Sequence, residues 1–78
     1  MKVALITGVA GGIGYATAEK LLKEGIAVVG MDVAPEMPKP LNGEFSYFQG
    51  DLSKAESREK YVAFALEKYG KILLLEKT

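Results

Sequence analysis

Two hydrophobic periods alternate along this chain. Lys2–Ile6 is a short, nearly continuous apolar run that ends at Thr7-Gly8, the pattern of a strand buried on both faces of a parallel sheet. From Gly12 the pattern changes period: Ile13, Ala16, Thr17, Lys20-Leu21 and Glu24 recur at three and four residues, with one face apolar or small. This predicts a helix to about Glu24, stopped by Gly25. Ile26–Met31 is a second uncharged strand, with Asp32 at its C-terminal end. Residues 33–43 then break both periods. Pro35, Pro38 and Pro40 exclude a helix interior, and Asn42-Gly43 signals a turn. Glu44–Gln49 alternates as a half-buried strand, with Phe45, Tyr47 and Gln49 on one face and Ser46 and Phe48 on the other. Ser53-Lys54-Ala55-Glu56 has the form of a capping box. The helix after it should carry Val62, Leu66 and Tyr69 on its apolar stripe, turn Arg58, Glu59 and Lys60 to water, and stop at Gly70. Ile72–Leu75 is a last strand.

The order strand, helix, strand, loop, strand, helix, strand predicts an α/β fold with a four-stranded, mostly parallel sheet. A loop stands where the second crossover helix belongs, so antiparallel pairing of strands two and three is the alternative at that point. Seventy-eight residues make one small domain over 1–78. At 49% hydrophobic and 26% charged, its composition is that of a soluble globular protein, and no apolar stretch approaches a membrane span. The start of the chain faintly resembles a signal peptide, but Gly8, Gly11, Gly12 and Gly14 interrupt its apolar part, so a cytoplasmic protein is expected. Ten basic residues balance ten acidic ones, which argues against a nucleic-acid partner and leaves little to keep two copies apart. The chain has neither cysteine nor histidine, so thiolate nucleophiles, imidazole bases, Cys-based zinc sites and histidine-ligated metals are excluded.

The chemistry lies in Thr7-Gly8-Val9-Ala10-Gly11-Gly12-Ile13-Gly14, between the first strand and the first helix. A pyrophosphate needs several backbone N–H groups within reach, no side chain in the way, and the positive end of a helix dipole. Gly8 allows the tight turn, Gly12 lets phosphate approach, and Gly14 lets helix and strand pack closely. A merely flexible glycine turn is the plainer reading, but the strand before and helix after favour the phosphate site. Asp32 ends the next strand, 18 residues past Gly14. Its carboxylate can accept from both hydroxyls of an adenosine ribose and repels a 2′-phosphate, which favours NAD over NADP. The alternative is that Asp32 caps a turn before Pro35. No basic residue lies in the glycine segment; the first beyond Asp32 is Lys39, past two prolines. Asp51 ends the third strand in the same way, and either contacts adenine or makes an Asx-turn into the helix.

Thr-Gly-x-x-x-Gly-Ile-Gly, the strand-ending Asp32 and Gly50-Asp51-Leu52-Ser53 together resemble the short-chain dehydrogenase/reductase family. The resemblance runs from Lys2 to about Ile72. It implies part of a three-layer Rossmann-type fold and hydride transfer between NAD(P) and an alcohol or carbonyl. It places the pyrophosphate on Gly8, Gly12, Ile13 and Gly14, the adenosine ribose on Asp32, and the adenine on Asp51 and Leu52. The family supplies its catalytic Ser and Tyr-x-x-x-Lys pair later in the chain. Here Tyr15, Tyr47, Tyr61 and Tyr69 are followed four residues on by Glu19, Asp51, Ala65 and Leu73, so no such pair is present. All four tyrosines read as packing or surface residues.

The expectation is therefore an NAD(H)-binding N-terminal part of such an oxidoreductase, with no catalytic residue of its own and no metal. Two other readings stand beside it: a non-catalytic adenine-dinucleotide-binding module, and a folded remnant without ligand function. The apolar edge of Ile72–Leu75 is expected to drive formation of a homodimer or higher oligomer.

Overall fold

A computed structural model describes residues 2–70 and the backbone of 74–77. Its elements are β1 (Val3–Thr7), α1 (Gly12–Lys23), β2 (Ala27–Asp32), β3 (Phe45–Gln49), α2 (Ala55–Tyr69) and β4 (Leu74–Lys77). The strands form one sheet in the order β3-β2-β1-β4, and every pairing is parallel. The antiparallel alternative for β3 therefore fails. A parallel connection needs about a dozen residues or more, and residues 33–44 supply that length without a helix. Met37 and Leu41 take over part of a crossover helix's work by packing against the cluster that contains Leu22, Ile26, Phe45 and Tyr47.

The alternation within each strand sorts the core into two layers. Val3 and Leu5 of β1 with Ala27, Val29 and Met31 of β2 face α2, where Tyr61 and Ala65 close the cluster. Ala4, Ile6 and Val28 face the opposite way, against Ala18 and Leu22 of α1. Both central strands are buried almost throughout because each face carries a helix, which is why their sequences read as continuous apolar runs. In β3, Phe45 and Tyr47 lie on the α1 side and Phe48 on the α2 side, as the alternation requires.

Both helices bury a different stripe from the one expected. On α1 the buried residues are Gly14, Ala18 and Leu22, while Ile13 is 77% exposed. On α2 they are Tyr61 and Ala65, with Phe64 and Tyr69 half-buried, while Val62 and Leu66 are exposed. The aromatic residues decide the second case. The Phe48 ring lies 5.8 Å from Tyr61 and 5.5 Å from Phe64, and these large rings claim the sheet face ahead of the aliphatic stripe. The capping box does not form either. The N-cap of α2 is Lys54, without a side-chain cap; Ser53 bonds Asp51 instead, and Glu56 pairs with Lys60 at 2.8 Å. The last strand lies further along than expected, with Ala4 to Thr7 of β1 opposite Leu74 to Lys77. Ile72 and Leu73, at the start of the expected strand, lie outside the described residues.

Tyr61 fastens α2 to the sheet backbone. Its buried hydroxyl shares one proton between the carbonyl oxygens of Ile6 in β1 and Val29 in β2. Burial, outweighing the hydrogen bond at Ile6, pushes the phenol well above the ordinary value of 10.0. The folded chain thus holds this proton more tightly than the unfolded chain does. The corresponding stability is intact below pH 10 and is lost progressively as pH rises above it. Tyr61→Phe should cost about 1 kcal/mol at neutral pH. It should also flatten the fall of stability between pH 9 and 11, measured by denaturant unfolding across that range.

Candidate functional site

Three strand ends meet along one edge of the sheet. The N–H of Gly8, just after β1, donates to Met31 O at 2.8 Å, and the N–H of Gly50, just after β3, donates to Asp32 O at 2.9 Å. Gly8 has φ of 70°, the left-handed region that a side chain disfavours, so the turn out of β1 needs glycine for its own sake. The turn closes with Gly11 N–H on Gly8 O at 3.1 Å, and Tyr15 N–H bonds Gly11 O at 2.8 Å. Val9 anchors the loop. It is wholly buried over Gly30, where a Cβ would come within 2.6 Å of Val9 Cγ1. Sequence reasoning missed this pair, although a glycine inside an apolar strand is the usual mark of such a close approach.

The opposite argument applies at the start of α1. Gly11 has φ of −84°, and a Cβ there would meet only Gly8 O at an ordinary 3.5 Å. A Cβ on Gly12 would meet nothing within 4 Å. Neither glycine is required by the chain's own packing; Gly11 suits its place as the N-cap, while Gly12, inside the first turn, costs the helix stability. The first turn has no acidic residue and no side-chain cap, so no side chain of the helix's own start compensates its first N–H groups or its positive dipole end. Such a surface suits an anion. Gly14, by contrast, is buried against the sheet.

Asp32 joins the two halves of this edge. Its Oδ2 accepts from Ala10 N–H at 2.9 Å and its Oδ1 from Val33 N–H at 2.7 Å. The glycine loop and the end of β2, 22 residues apart, thus share one carboxylate. Each oxygen has a second lone pair with which to accept from a ligand hydroxyl. Asp51 makes the Asx-turn: its Oδ1 accepts from Ser53 N–H at 3.0 Å and Ser53 Oγ at 2.7 Å. These bonds, led by the Ser53 hydroxyl and aided by the charge of Lys54, hold the Asp51 carboxyl below its ordinary range. Leu52 is half-buried against the α2-side core, and its carbonyl accepts from Arg58 at 2.8 Å. Ile13 and Val33, 77% and 63% exposed, set aliphatic surface beside Gly12 and Asp32.

The segment after Asp32 is held by side chains that sequence reasoning left as packing or surface residues. Tyr47 Oη lies 3.2 Å from Asp32 O and 2.5 Å from Ala34 O, Gln49 donates to Val33 O at 3.1 Å, and Tyr15 donates to Pro40 O at 2.7 Å. Burial, followed by the Asp32 charge, raises the Tyr47 phenol. A proline-rich stretch cannot satisfy its own carbonyls through a helical ladder. That was the available signal: such a segment needs donors from its neighbours.

A family model described as short chain dehydrogenase matches residues 2–77. A short-chain dehydrogenase/reductase of Talaromyces verruculosus is 40% identical over 70 residues, covering 87% of this chain and 27% of that protein. A diacetyl reductase, (S)-acetoin forming, of Staphylococcus epidermidis is 33% identical, covering 91% and 30%. Among solved structures, a 3-ketoacyl-(acyl-carrier-protein) reductase from Brucella melitensis, complexed with NADH, superposes with a TM-score of 0.86 at 33% identity, covering 95% of this chain and 32% of that one. The chain spans less than one third of the length of each of these proteins.

The two kinds of glycine should separate experimentally. Gly12→Ala should leave the ligand-free melting temperature unchanged or raise stability by up to about 1 kcal/mol. Gly8→Ala should lower stability by about 1–2 kcal/mol. Thermal unfolding of the two variants beside the parent chain measures both.

Proposed function

The chain belongs to the short-chain dehydrogenase family, and on that premise we propose that it is the cofactor-binding part of an oxidoreductase that takes NAD(H). The observation that carries this reading is the open space over Gly12. Helix stability is sacrificed there with no internal need, next to uncompensated N–H groups that suit a pyrophosphate. On this reading Gly8, Gly12, Ile13 and Gly14 hold the pyrophosphate, Asp32 accepts from the adenosine ribose, and Asp51 and Leu52 border the adenine. The nicotinamide, when bound, supplies the hydride chemistry. The 78 residues contain no Tyr-x-x-x-Lys pair, and the role given to them here is to bind and orient the cofactor. Asp32 gives the preference for NAD, because a 2′-phosphate would meet its carboxylate.

We propose in addition that the chain self-associates. Among the described residues β4 pairs with β1 and with no strand on its outer side. A free parallel edge is a template for another chain, and zero net charge does little to prevent the approach of a second copy.

Titration with NADH and NADPH, each followed by fluorescence, tests the binding claim. Saturable NADH binding, tighter than that of NADPH, is expected. Asp32→Ala should narrow the gap, and Gly12→Ala should weaken NADH about tenfold or more. Absence of NADH binding, or tighter NADPH binding, contradicts the reading. Sedimentation across a hundredfold concentration range should show reversible association; a monomer throughout contradicts the second claim.

A further inference from the structure

Two side-chain amides of this chain each precede a glycine, in Asn42-Gly43 and Gln49-Gly50, and Asn42 is its only asparagine. Such amides are among the most thermally labile side chains. The fold treats the two pairs in opposite ways. Gln49 donates its amide to Val33 O at 3.1 Å, and the Gly50 N–H donates to Asp32 O at 2.9 Å. Both halves of that pair are thus tied to the end of β2. Asn42 and Gly43 lie exposed before the start of β3, at the edge of the sheet opposite to Asp32 and Gly50. Among the described residues, no hydrogen bond holds the Asn42 amide or the Gly43 N–H. The chain is fixed on either side of them instead. Pro40 O accepts from Tyr15, Leu41 packs in the cluster that contains Leu22, and Glu44 O accepts from the Val28 N–H at 2.9 Å. Position 43 itself demands glycine: its φ is 117°, and a Cβ there would come within 3.3 Å of Leu22 Cδ2.

We propose that Asn42 is a site of spontaneous deamidation, with the main-chain nitrogen of Gly43 as its nucleophile. The Gly43 nitrogen, having given its proton to hydroxide, attacks Asn42 Cγ. A bond forms between that nitrogen and Cγ, the bond from Cγ to Nδ2 breaks, and Nδ2 leaves as ammonia with a proton taken from water. Water then opens the resulting five-membered imide. Opening at Cγ gives aspartate; opening at the main-chain carbonyl gives isoaspartate, whose peptide link runs through the side chain. One water enters, one ammonia leaves, and nothing is oxidised or reduced. The residue that the backbone demands at position 43 is also the one that hinders ring closure least. Either product adds one acidic group to a chain whose ten basic and ten acidic residues balance. Isoaspartate also lengthens the backbone by one methylene between Leu41 and Gly43, where both flanks press on Leu22.

The test is incubation of the whole chain at 37 °C, folded at pH 7 and pH 8 and unfolded in guanidinium chloride, followed by peptide mass spectrometry. The folded chain should gain one mass unit at Asn42 and none at Gln49, severalfold faster at pH 8 than at pH 7. An isoaspartyl carboxyl methyltransferase should label the product, and Asn42→Gln should abolish the label. The isolated isoaspartate form should melt below the Asn42→Asp variant, which carries the same charge on an unaltered backbone. If the folded chain stays intact at Asn42 while the unfolded chain reacts, the fold protects this amide and the proposal fails. It fails equally if neither form reacts, or if Gln49 is modified as fast as Asn42. Equal melting of the isoaspartate and Asn42→Asp forms would overturn the strain assigned to the longer backbone at Leu22.

Discussion

The shared carboxylate of Asp32 is the constraint on which the rest of the site depends. One oxygen receives the Ala10 N–H from the glycine loop and the other the Val33 N–H that begins the proline-rich segment. Two stretches of chain that could each move independently are therefore fixed to the end of a buried central strand. Below them the support is ordinary packing. Val9 fills the space over Gly30, and Tyr61 ties α2 to the carbonyls of β1 and β2. The backbone of this edge is thus fixed by the chain's own bonds, an arrangement that lowers the ordering cost for any ligand it would bind.

The exposed edge has two kinds of residue, and they follow different rules. Gly8 and Gly30 are glycines because the fold itself would be strained or blocked otherwise. Gly12 is a glycine although the fold would tolerate a side chain. Within the glycine motif, Gly8 thus answers a structural demand and Gly12 does not. The proline-rich segment shows a related division. It omits a helix and thereby loses internal hydrogen bonding, and Tyr15, Tyr47 and Gln49 supply the missing donors.

The positions of the first three strands, the glycine stops after both helices and the placing of Gly8 and Asp32 at neighbouring strand ends were legible from period and spacing, because buried parallel strands and glycine stops leave strong local signals. Helix faces were not. The stripe over Ile13, Ala16 and Thr17 and the stripe over Val62 and Leu66 each yielded to a neighbouring one, since side-chain size and aromatic contact across the sheet decide between adjacent faces. The Ser53–Glu56 box failed for a similar reason: Asp51 competes for Ser53 at shorter range. Tyr15 and Tyr47 gain their roles from contacts 13 to 25 residues apart, as with Tyr47 at Ala34 and Tyr15 at Pro40, and nothing local marks them.

The most direct test of the central claim is a map of backbone amide shifts on adding NADH to the isotopically labelled chain. Perturbation concentrated at Gly8–Tyr15 and Asp32–Ala34, with a smaller response at Asp51–Leu52, is the predicted result. Shifts centred on Val62–Leu66, or no saturable shift at all, would contradict it.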